Sequence, residues 1–206
     1  MIKKLTKNWN KDNFVVVKKT ISNELAEIGF NYLLGKKQVY QTLKYKNFLK
    51  GREEDLLGTM NDGQVKDTYS IYGDIFFETL LCYLLPKVED IINTRLYPTY
   101  AYARFYEDGS ELKKHEDRKE CELSTTLNLG GDTWPIFIEK NNKPHKISLE
   151  PGDMLVYKGS FLTHWREPFR GEACGQCFLH YNEIIEGKKE NLFGKRIHLG
   201  LPKNLK

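Results

Sequence analysis

The chain has 206 residues, of which 40% are hydrophobic and 29% are charged, and its formal net charge is +4. This composition is ordinary for a soluble globular protein, and the length suits a single domain that folds without disulfides. No apolar run reaches the ~20 residues that span a bilayer, and the polar start lacks a signal-peptide pattern, so we expect a cytoplasmic protein with no membrane partner.

The first 60 residues carry 12 Lys or Arg and 6 Asp or Glu, so the excess positive charge lies early in the chain. This excess weakly favours an acidic partner. No stacking motif of aromatic and basic residues accompanies it, which weakly opposes nucleic acid. A solvated, lysine-rich surface is the interpretation that we favour.

The string Cys174-Gly175-Gln176-Cys177 has the spacing of a zinc knuckle or a redox pair. It has no second CxxC partner, and it runs directly into a segment that is predicted as a strand. Residues three apart on a strand point to opposite faces. We therefore expect two thiols that diverge.

The N-terminal third combines one strand, one helix and a long loop in the predicted structure. Residues 1–13 are polar, and we expect no regular structure there. The β-branched run Phe14–Val17 predicts a short buried strand. Ser22 is a good N-cap for a helix that ends at Gly35, and residues 36–72 are predicted to be mostly loop.

A second, longer helix is predicted from about Asp74 to residue 95, with Pro86 as a break or kink. From Tyr97 onward the segments are short, β-rich and separated by turn residues. The predicted strands are Thr99–Tyr106, Leu123–Leu129, Trp134–Glu139, Lys146–Leu149, Met154–Tyr157 and Cys174–Tyr181.

Helices followed by a series of strands predict an α+β fold that is mainly β, a sandwich or barrel buttressed by N-terminal helices. We expect one domain over residues 1–206. In this division residues 1–96 support the core, residues 97–183 form the strand core, and residues 184–206 are a tail.

The string His115-Glu116-Asp117 carries the clearest chemistry in the sequence. Residues i and i+2 of an extended segment face the same way, so His115 and Asp117 can reach one ion. His164, 49 residues after His115, follows a tight turn and an apolar strand and is the candidate third ligand. Two histidines and one carboxylate on one face of iron(II) leave positions for a bidentate oxoacid and dioxygen.

The order of these features predicts the fold more specifically than any one of them. A turn, an HxD string, several strands, a Pro-Gly-Asp turn, a strand, a histidine and a final strand follow one another over residues 106–181. This order matches a double-stranded β-helix, a jelly-roll or cupin-like core in which the ligands come from opposite ends of the strand set.

The stretch Tyr102–Tyr181 resembles the prolyl-4-hydroxylase-like branch of the 2-oxoglutarate and iron(II) dioxygenases. The resemblance is carried by the Arg104–Gly109 lead-in to HxD, the Leu149–Asp153 turn and His164. Small viral and bacterial proteins of this type share the string Glu-Leu-Lys-Lys-His-x-Asp-Arg. The resemblance implies Fe(II), 2-oxoglutarate and O2, and the hydroxylation of an unactivated C–H bond with release of succinate and CO2. It also implies that Tyr106 contacts the cosubstrate.

The chain departs from this family at the residue that anchors the cosubstrate. The family places a Lys or Arg about ten residues after the distal histidine, to pair with the far carboxylate of 2-oxoglutarate. Here that neighbourhood is Ala173-Cys174-Gly175, with no base. Arg166 is the first candidate because it lies two residues from His164 and would face the same way. Arg170 is the alternative.

Two further arginines and one polar strand are also candidates for the lining of this pocket. Arg104 and Arg118 are expected to be ion-paired surface or frame residues. Ser124 and Thr126 alternate on one predicted strand, so they either line the pocket or face solvent.

Two other functions are compatible with the sequence. One is a zinc or manganese hydrolase on the same triad, which would need a general base beside the metal-bound water. The other is a non-catalytic β-sandwich binding module with incidental histidines. The substrate of an oxygenase stays open between peptidyl proline, a free amino acid and a nucleic-acid base, and the oligomeric state is not readable.

Overall fold

Two antiparallel β-sheets and the helices of the N-terminal half build the protein. The computed structural model describes residues 2–49, 54–60, 62–185 and 190–203. The helices are α1 (Ile2–Asp12), α2 (Asn23–Tyr45), α3 (Glu54–Leu57) and α4 (Ile75–Ile92), with short 3-10 turns at Lys119–Cys121 and Leu192–Lys195. Within the described ranges, none of these helices is long and apolar enough to cross a bilayer.

The described ranges contain ten strands, and three of them, at Tyr69–Tyr72, Leu112–His115 and His164–Arg166, are additional to the predicted segments. The ten strands are β1 (Phe14–Val17), β2 (Tyr69–Tyr72), β3 (Leu96–Tyr106), β4 (Leu112–His115), β5 (Leu123–Gly131), β6 (Ile136–Lys140), β7 (Lys143–Ile147), β8 (Met154–Tyr157), β9 (His164–Arg166) and β10 (Cys174–Glu183). The larger sheet has the order β1-β8-β5-β10-β3-β2, and the smaller has the order β4-β9-β6-β7. This is the predicted mainly-β double-stranded β-helix.

The main hydrophobic core lies between the larger sheet and the helices. Inward-facing residues of α2 and α4, such as Leu33 and Leu81, are fully buried there against strand residues such as Leu179. The opposite face of the same sheet packs on the smaller sheet, where Leu155 and Ile138 belong to one buried cluster. This cluster fills part of the space between the two sheets. The rest of that space holds the polar residues described below.

Helix α1 corrects the expectation that residues 1–13 lack regular structure. The segment is polar, but Trp9 is buried in the main core, and α1 packs on α4. Most helical stability in proteins comes from such tertiary packing rather than from propensity. A single buried indole is easy to overlook in a polar sequence.

Helix α2 corrects the prediction that the first long helix ends at Gly35. It continues ten residues further, to Tyr45. Glycine inside a helix costs only about 1 kcal/mol, and the next turns bury Lys37 and Tyr40. The Tyr40 ring lies 5.8 Å from the Tyr69 ring. Tyr69 belongs to β2, a strand within the segment that is predicted as loop.

The two thiols of the CxxC string lie on opposite faces of β10, as the strand geometry predicts. Cys177 is buried in the main core, and Cys174 is buried beside Tyr106 and Trp134 between the sheets. Both are free thiols. The spacing has no role as a metal or disulfide pair.

A buried ion pair ties the C-terminal segment to the body of the protein. The Arg196 guanidinium and the Glu78 carboxylate of α4 are 2.5 Å apart, and both side chains are fully buried. Glu78 also accepts a hydrogen bond from the Gly200 backbone. Residues 196–203 are thereby held beside β3, which brings Lys203 to the edge of the cavity described below.

Replacing the cap of α2 should have a modest, measurable effect on stability. Ser22 has extended backbone geometry, and its Oγ accepts a hydrogen bond from the Leu25 amide at 3.2 Å. Ser22→Ala leaves this donor without its cap and should lower the free energy of unfolding by about 1 kcal/mol. Urea denaturation measures the change. The exposed Ser148→Ala is the control, and an equal loss in both variants would contradict the capping role.

Candidate metal and cosubstrate site

The three predicted metal ligands converge at the ends of two neighbouring strands. His115 ends β4, His164 begins β9, and the two residues pair directly in the smaller sheet. Asp117 lies two residues beyond β4, and its Oδ1 is 3.6 Å from Nε2 of His115 and 3.6 Å from Nε2 of His164. The three ligand atoms lie within 4.8 Å of one another, which is the separation expected around one ion.

Backbone carbonyls fix the ring orientation of both histidines. Nδ1 of His115 lies 2.8 Å from the Lys113 carbonyl oxygen, and Nδ1 of His164 lies 2.8 Å from the Leu162 carbonyl oxygen. A carbonyl only accepts, so each Nδ1 carries the proton and each Nε2 keeps its lone pair toward Asp117. Burial also lowers the pKa of His164, which favours the neutral form that binds metals.

The Asp117 carboxylate is held in place from its other side. Ser124 Oγ donates to Asp117 Oδ2 at 2.6 Å, so Oδ1 is left for the histidine side. Burial by itself raises the pKa of Asp117, but the neighbouring His115, His164 and His180 and the hydrogen bond from Ser124 outweigh it and hold the pKa well below its usual value. Two neutral histidines and an ionised carboxylate fit a divalent metal.

The absence of a side chain at Gly159 leaves space for the Asp117 carboxylate. A Cβ at this residue would collide with Asp117 Oδ2 and with Ser124 Oγ. The Asp117 amide donates to the Gly159 carbonyl at 2.9 Å, so the two backbone segments are in direct contact. Only glycine permits this approach.

Arg166 is a fully buried cation between the sheets. It lies on the same face of β9 as His164, since both are buried and Trp165 between them is only half-buried. Its guanidinium donates to the Trp134 carbonyl and, at 3.3 Å, to Gln176 Oε1, and it lies 5.0 Å from the centre of the Trp134 ring. Its Nε has no hydrogen-bond partner among the described residues.

No carboxylate neutralises this guanidinium in the part of the chain that the structure describes, since no acidic oxygen lies within 4.0 Å of it. Burial consequently lowers the pKa of Arg166. A buried cation without an anion is costly, and proteins retain one where a ligand supplies the missing charge.

Arg170 lies elsewhere, which corrects its candidacy as the alternative anchor. Its side chain is 76% exposed, and its guanidinium is 3.9 Å from the exposed Asp108 carboxylate. The chain leaves the sheet after Arg166, and alternation along the strand no longer applies there. Arg170 therefore faces solvent rather than the space between the sheets.

The other predicted pocket residues are all buried. Tyr106 packs edge-on to Trp134 at 4.7 Å, and its hydroxyl is 3.5 Å from Arg104 Nη1. Ser124 and Thr126 face inward rather than toward solvent, and Thr126 Oγ1 donates to Gln176 Oε1 at 3.2 Å. Gln176 of β10 thus accepts from both Thr126 of β5 and Arg166 of β9. These contacts depend on the register of the strands, and no sequence motif predicts them.

Arg104 is ion-paired, as the sequence predicts, and His180 is a site residue that the sequence did not single out. Arg104 was expected at the frame or surface. It is buried, lines the cavity, and pairs with Asp62 at 2.6 Å. The Ser124 hydroxyl proton is directed at Asp117, so His180 Nδ1 donates to Ser124 Oγ at 3.0 Å and supports the Ser124–Asp117 contact. The alternation of side chains along β10 predicts that His180 points inward. Its position beside Ser124 depends on the pairing of β10 with β5, which the sequence does not show.

A cavity of about 570 Å³ opens directly over the triad. Its aromatic wall consists of Tyr72, Tyr100 and Tyr102 on neighbouring strands. The Tyr72 and Tyr100 rings are 4.6 Å apart, and the His180 ring is 4.6 Å from Tyr100 on the other side. This volume is in the range of small-molecule sites.

Acid should destabilise the metal-free protein through His180. Burial lowers the pKa of His180 to about 4, whereas the unfolded chain titrates near 6.5. Between these values the unfolded state binds the proton and the folded state does not, so stability falls as the pH falls. The loss is about 2 kcal/mol between pH 7 and pH 5.

Urea denaturation of metal-free protein at the two pH values measures this loss. His180→Gln removes the titration and should flatten the pH dependence by that amount. His198→Gln, at an exposed histidine, is the matched control. A wild-type profile that His180→Gln leaves unaltered would contradict the assignment.

No protein-family model and no curated protein matches this sequence. Solved structures do match its fold. The 2-oxoglutarate-dependent epimerase SnoN of nogalamycin biosynthesis has a TM-score of 0.65 at 12% identity, and the match covers 98% of this chain and 94% of SnoN. A Pseudomonas putida prolyl-4-hydroxylase has a TM-score of 0.62 at 10% identity, with 89% and 99% of the two chains covered.

The fold is that of the 2-oxoglutarate and iron(II) oxygenases. HygX from Streptomyces hygroscopicus, solved with nickel and 2-oxoglutarate bound, adds a third match, with a TM-score of 0.60, 12% identity and 93% of each chain covered. At 10–12% identity these structural matches show the fold alone, and the reaction is argued from the site. In this chain the oxygenase fold carries the His115, Asp117 and His164 triad at the open end of its two sheets.

Proposed function

We propose that the protein is a 2-oxoglutarate- and Fe(II)-dependent dioxygenase that hydroxylates an unactivated C–H bond. One oxygen atom of O2 enters the C–H bond as a hydroxyl group, and the other enters succinate as 2-oxoglutarate loses CO2. The observation that carries the proposal is the pairing of a two-histidine, one-carboxylate triad with the buried, unpaired Arg166 two residues along the same strand.

His115, Asp117 and His164 would hold the metal, and they leave three positions of an octahedral ion for other ligands. When bound, iron(II) supplies the activation of dioxygen that is coupled to oxidative decarboxylation of 2-oxoglutarate. Ser124 orients Asp117, and the two backbone carbonyls orient the histidine rings. The chain's part is to hold this geometry and to exclude water.

Arg166 would bind the far carboxylate of 2-oxoglutarate. A dicarboxylate with its oxoacid end at the triad would reach inward along β9, and a guanidinium there satisfies it with a charge-assisted pair. Tyr106 and Thr126 are buried around the same space and would complete it. The ligand supplies the negative charge that the protein does not.

The competing readings explain less of this arrangement. A zinc or manganese hydrolase needs a general base beside the metal, but Glu116 is exposed and its Oε1 accepts from Thr163 Oγ1 at 3.1 Å. A binding module would have no use for two oriented histidines or for a buried unpaired guanidinium. Neither reading accounts for Arg166.

The test is a coupled assay with purified protein, Fe(II) and 2-oxoglutarate under oxygen. Succinate and CO2 should form in equal amounts, and the panel of peptides, free amino acids and oligonucleotides should contain compounds that accelerate their release. Anaerobic addition of 2-oxoglutarate to the Fe(II) protein should give a metal-to-ligand absorption band. Tightly bound zinc without any succinate would overturn the proposal in favour of a hydrolase.

A further inference from the structure

Three acidic and three basic side chains line the cavity, and they are not all paired with one another. They are Asp62, Arg104, Glu116, Asp117, Arg118 and Lys203. Asp62 accepts from Arg104 and from the Tyr102 hydroxyl, and Asp117 belongs to the triad. Glu116 is exposed and takes its hydrogen bond from Thr163. In the described ranges, neither Arg118 nor Lys203 has a carboxylate within 4.0 Å.

Arg118 is held at the mouth of the cavity immediately after the ligand Asp117. Its Nη2 donates to the Tyr100 hydroxyl at 2.9 Å, and its guanidinium lies 6.0 Å from the centre of the Tyr100 ring. Tyr100 is buried, and its hydroxyl also contacts Cys121 Sγ at 2.9 Å, so the ring that orients Arg118 is itself fixed. The guanidinium is exposed but directed along the aromatic wall.

Lys203 is a second cation of the same cavity. It is exposed, and the buried Arg196–Glu78 pair holds its segment against the body of the protein. The side that faces the triad is formed by neutral rings such as Tyr100 and Tyr102. An entering molecule therefore meets an aromatic wall on which Arg118 is oriented, with Lys203 and the exposed Glu116 also lining the cavity.

We infer that Arg118, assisted by Lys203, is a subsite for an anionic group of the primary substrate, and that this substrate is a small molecule bearing a carboxylate or a phosphate. The inference rests on the proposed function for the identity of the reaction, but the anion site itself does not depend on it. A preoriented guanidinium binds either anion through two parallel hydrogen bonds. The adjacent metal site would then face a C–H bond a few atoms from the anionic group.

The cavity favours a small molecule over a polymer. Its volume of about 570 Å³ must hold the substrate's reacting part beside the triad. Asp62 and Gln64 close one side, where Arg104 binds both at 2.6 Å. The C-terminal segment that carries Lys203 adds a second boundary. A free amino acid or a sugar phosphate fits such a space.

Inorganic phosphate is the first probe. Its phosphorus-31 line is recorded with the Mn(II)-loaded protein saturated with 2-oxoglutarate, because a phosphate at Arg118 lies close enough to the paramagnetic ion to broaden. Arg118→Gln should weaken phosphate binding at least ~10-fold, and Arg95→Gln, at an exposed arginine three residues after the end of α4, should leave it unchanged. Broadening that survives Arg118→Gln means direct coordination by the metal and overturns the inference.

Calorimetric titration of the metal-free protein with phosphate repeats the comparison of the two variants. The anion site is thus tested even if metal or cosubstrate binding fails, and that failure is seen separately as a missing 2-oxoglutarate signal. Equal heats for wild type and Arg118→Gln overturn the inference in this form as well.

Matched substrate pairs then identify the anionic group. Succinate release is compared for amino acids and their amides, and for sugar phosphates and their parent sugars. The anionic member of a productive pair should have a kcat/KM at least ~10-fold higher, and Arg118→Gln should remove this preference mainly through KM. Arg118→Lys should restore part of it. Preference for a neutral compound, a peptide or an oligonucleotide that Arg118→Gln leaves unchanged overturns the assignment.

Discussion

Arg166→Met is expected to make the cofactor-free protein more stable while it abolishes tight binding of 2-oxoglutarate. The wild-type guanidinium is fully buried, has an unpartnered Nε and is near no described carboxylate. Replacing a poorly compensated buried charge by an apolar side chain of similar length removes its desolvation cost. The Trp134 carbonyl and Gln176 Oε1 lose a donor, which offsets part of this gain, so we expect a net increase of about 1 kcal/mol in the free energy of unfolding.

The same substitution removes the partner of the far carboxylate of the cosubstrate. Truncating one side of a buried charge pair costs about 2–5 kcal/mol, which corresponds to a loss of roughly 30-fold to several-thousand-fold in affinity. Arg166→Lys should recover only part of this loss, because an ammonium cannot reproduce the fork geometry. Tyr106 stays in place in both variants and cannot supply the charge.

Two measurements on the same variants test the expected gain in stability and the expected loss of 2-oxoglutarate affinity. Urea denaturation without ligands gives the stability change, and anaerobic titration of the Fe(II) protein with 2-oxoglutarate gives the affinity change. Arg95→Met, at an arginine whose side chain is 83% exposed, is the matched control for both. An Arg166→Met protein that binds 2-oxoglutarate as tightly as wild type would refute the anchor, whatever its stability.

The metal ligands could be predicted from the sequence because each depends on local geometry. His115 and Asp117 are two residues apart in extended chain, and His164 follows a turn and an apolar strand. The structure pairs His115 directly with His164, as the order of the elements suggests. Arg166 was placed by the same alternation, since it is two residues from His164 on one strand.

What surrounds the ligands could not be predicted, because it depends on register between strands that are far apart in sequence. His180 lies opposite Ser124 and Gln176 opposite Asn128, in pairs that are 56 and 48 residues apart. A shift of one residue would turn each of these side chains to the other face. The Asp62–Arg104 pair likewise joins a loop to a strand, and no sequence motif marks Asp62 as the partner.

The helices show the corresponding limit for the fold. The apolar periodicity of α4 was sufficient to predict it, whereas α1 and the second half of α2 are helical because a few buried residues dock on the core. Trp9 and Tyr40 are such residues, with exposures of 5% and 1%. Their neighbours in sequence are polar, so hydrophobic periodicity alone does not predict these two helical segments.

Asp117→Asn should abolish specific metal binding and, with it, all succinate formation. The carboxylate supplies the only negative charge of the triad, and its two oxygens have separate contacts, Oδ2 with Ser124 and Oδ1 toward the histidines. The amide keeps the shape but loses the charge, and its NH2 group would face either the Ser124 hydroxyl or the metal. Wild-type protein should gain about 2.7 kcal/mol in stability at a metal concentration of 100 times Kd, and Asp117→Asn should gain none.

Thermal unfolding with and without Mn(II), and succinate release with Fe(II), measure the two effects. Asp108→Asn, at a carboxylate whose side chain is 68% exposed, removes a charge of the same kind away from the triad and should behave as wild type in both. Metal stabilisation that persists in Asp117→Asn would place the ion elsewhere. Wild-type protein that Mn(II), Fe(II) and Zn(II) all fail to stabilise would instead support the non-catalytic binding module, because a preformed site for a divalent ion must bind one more tightly when folded.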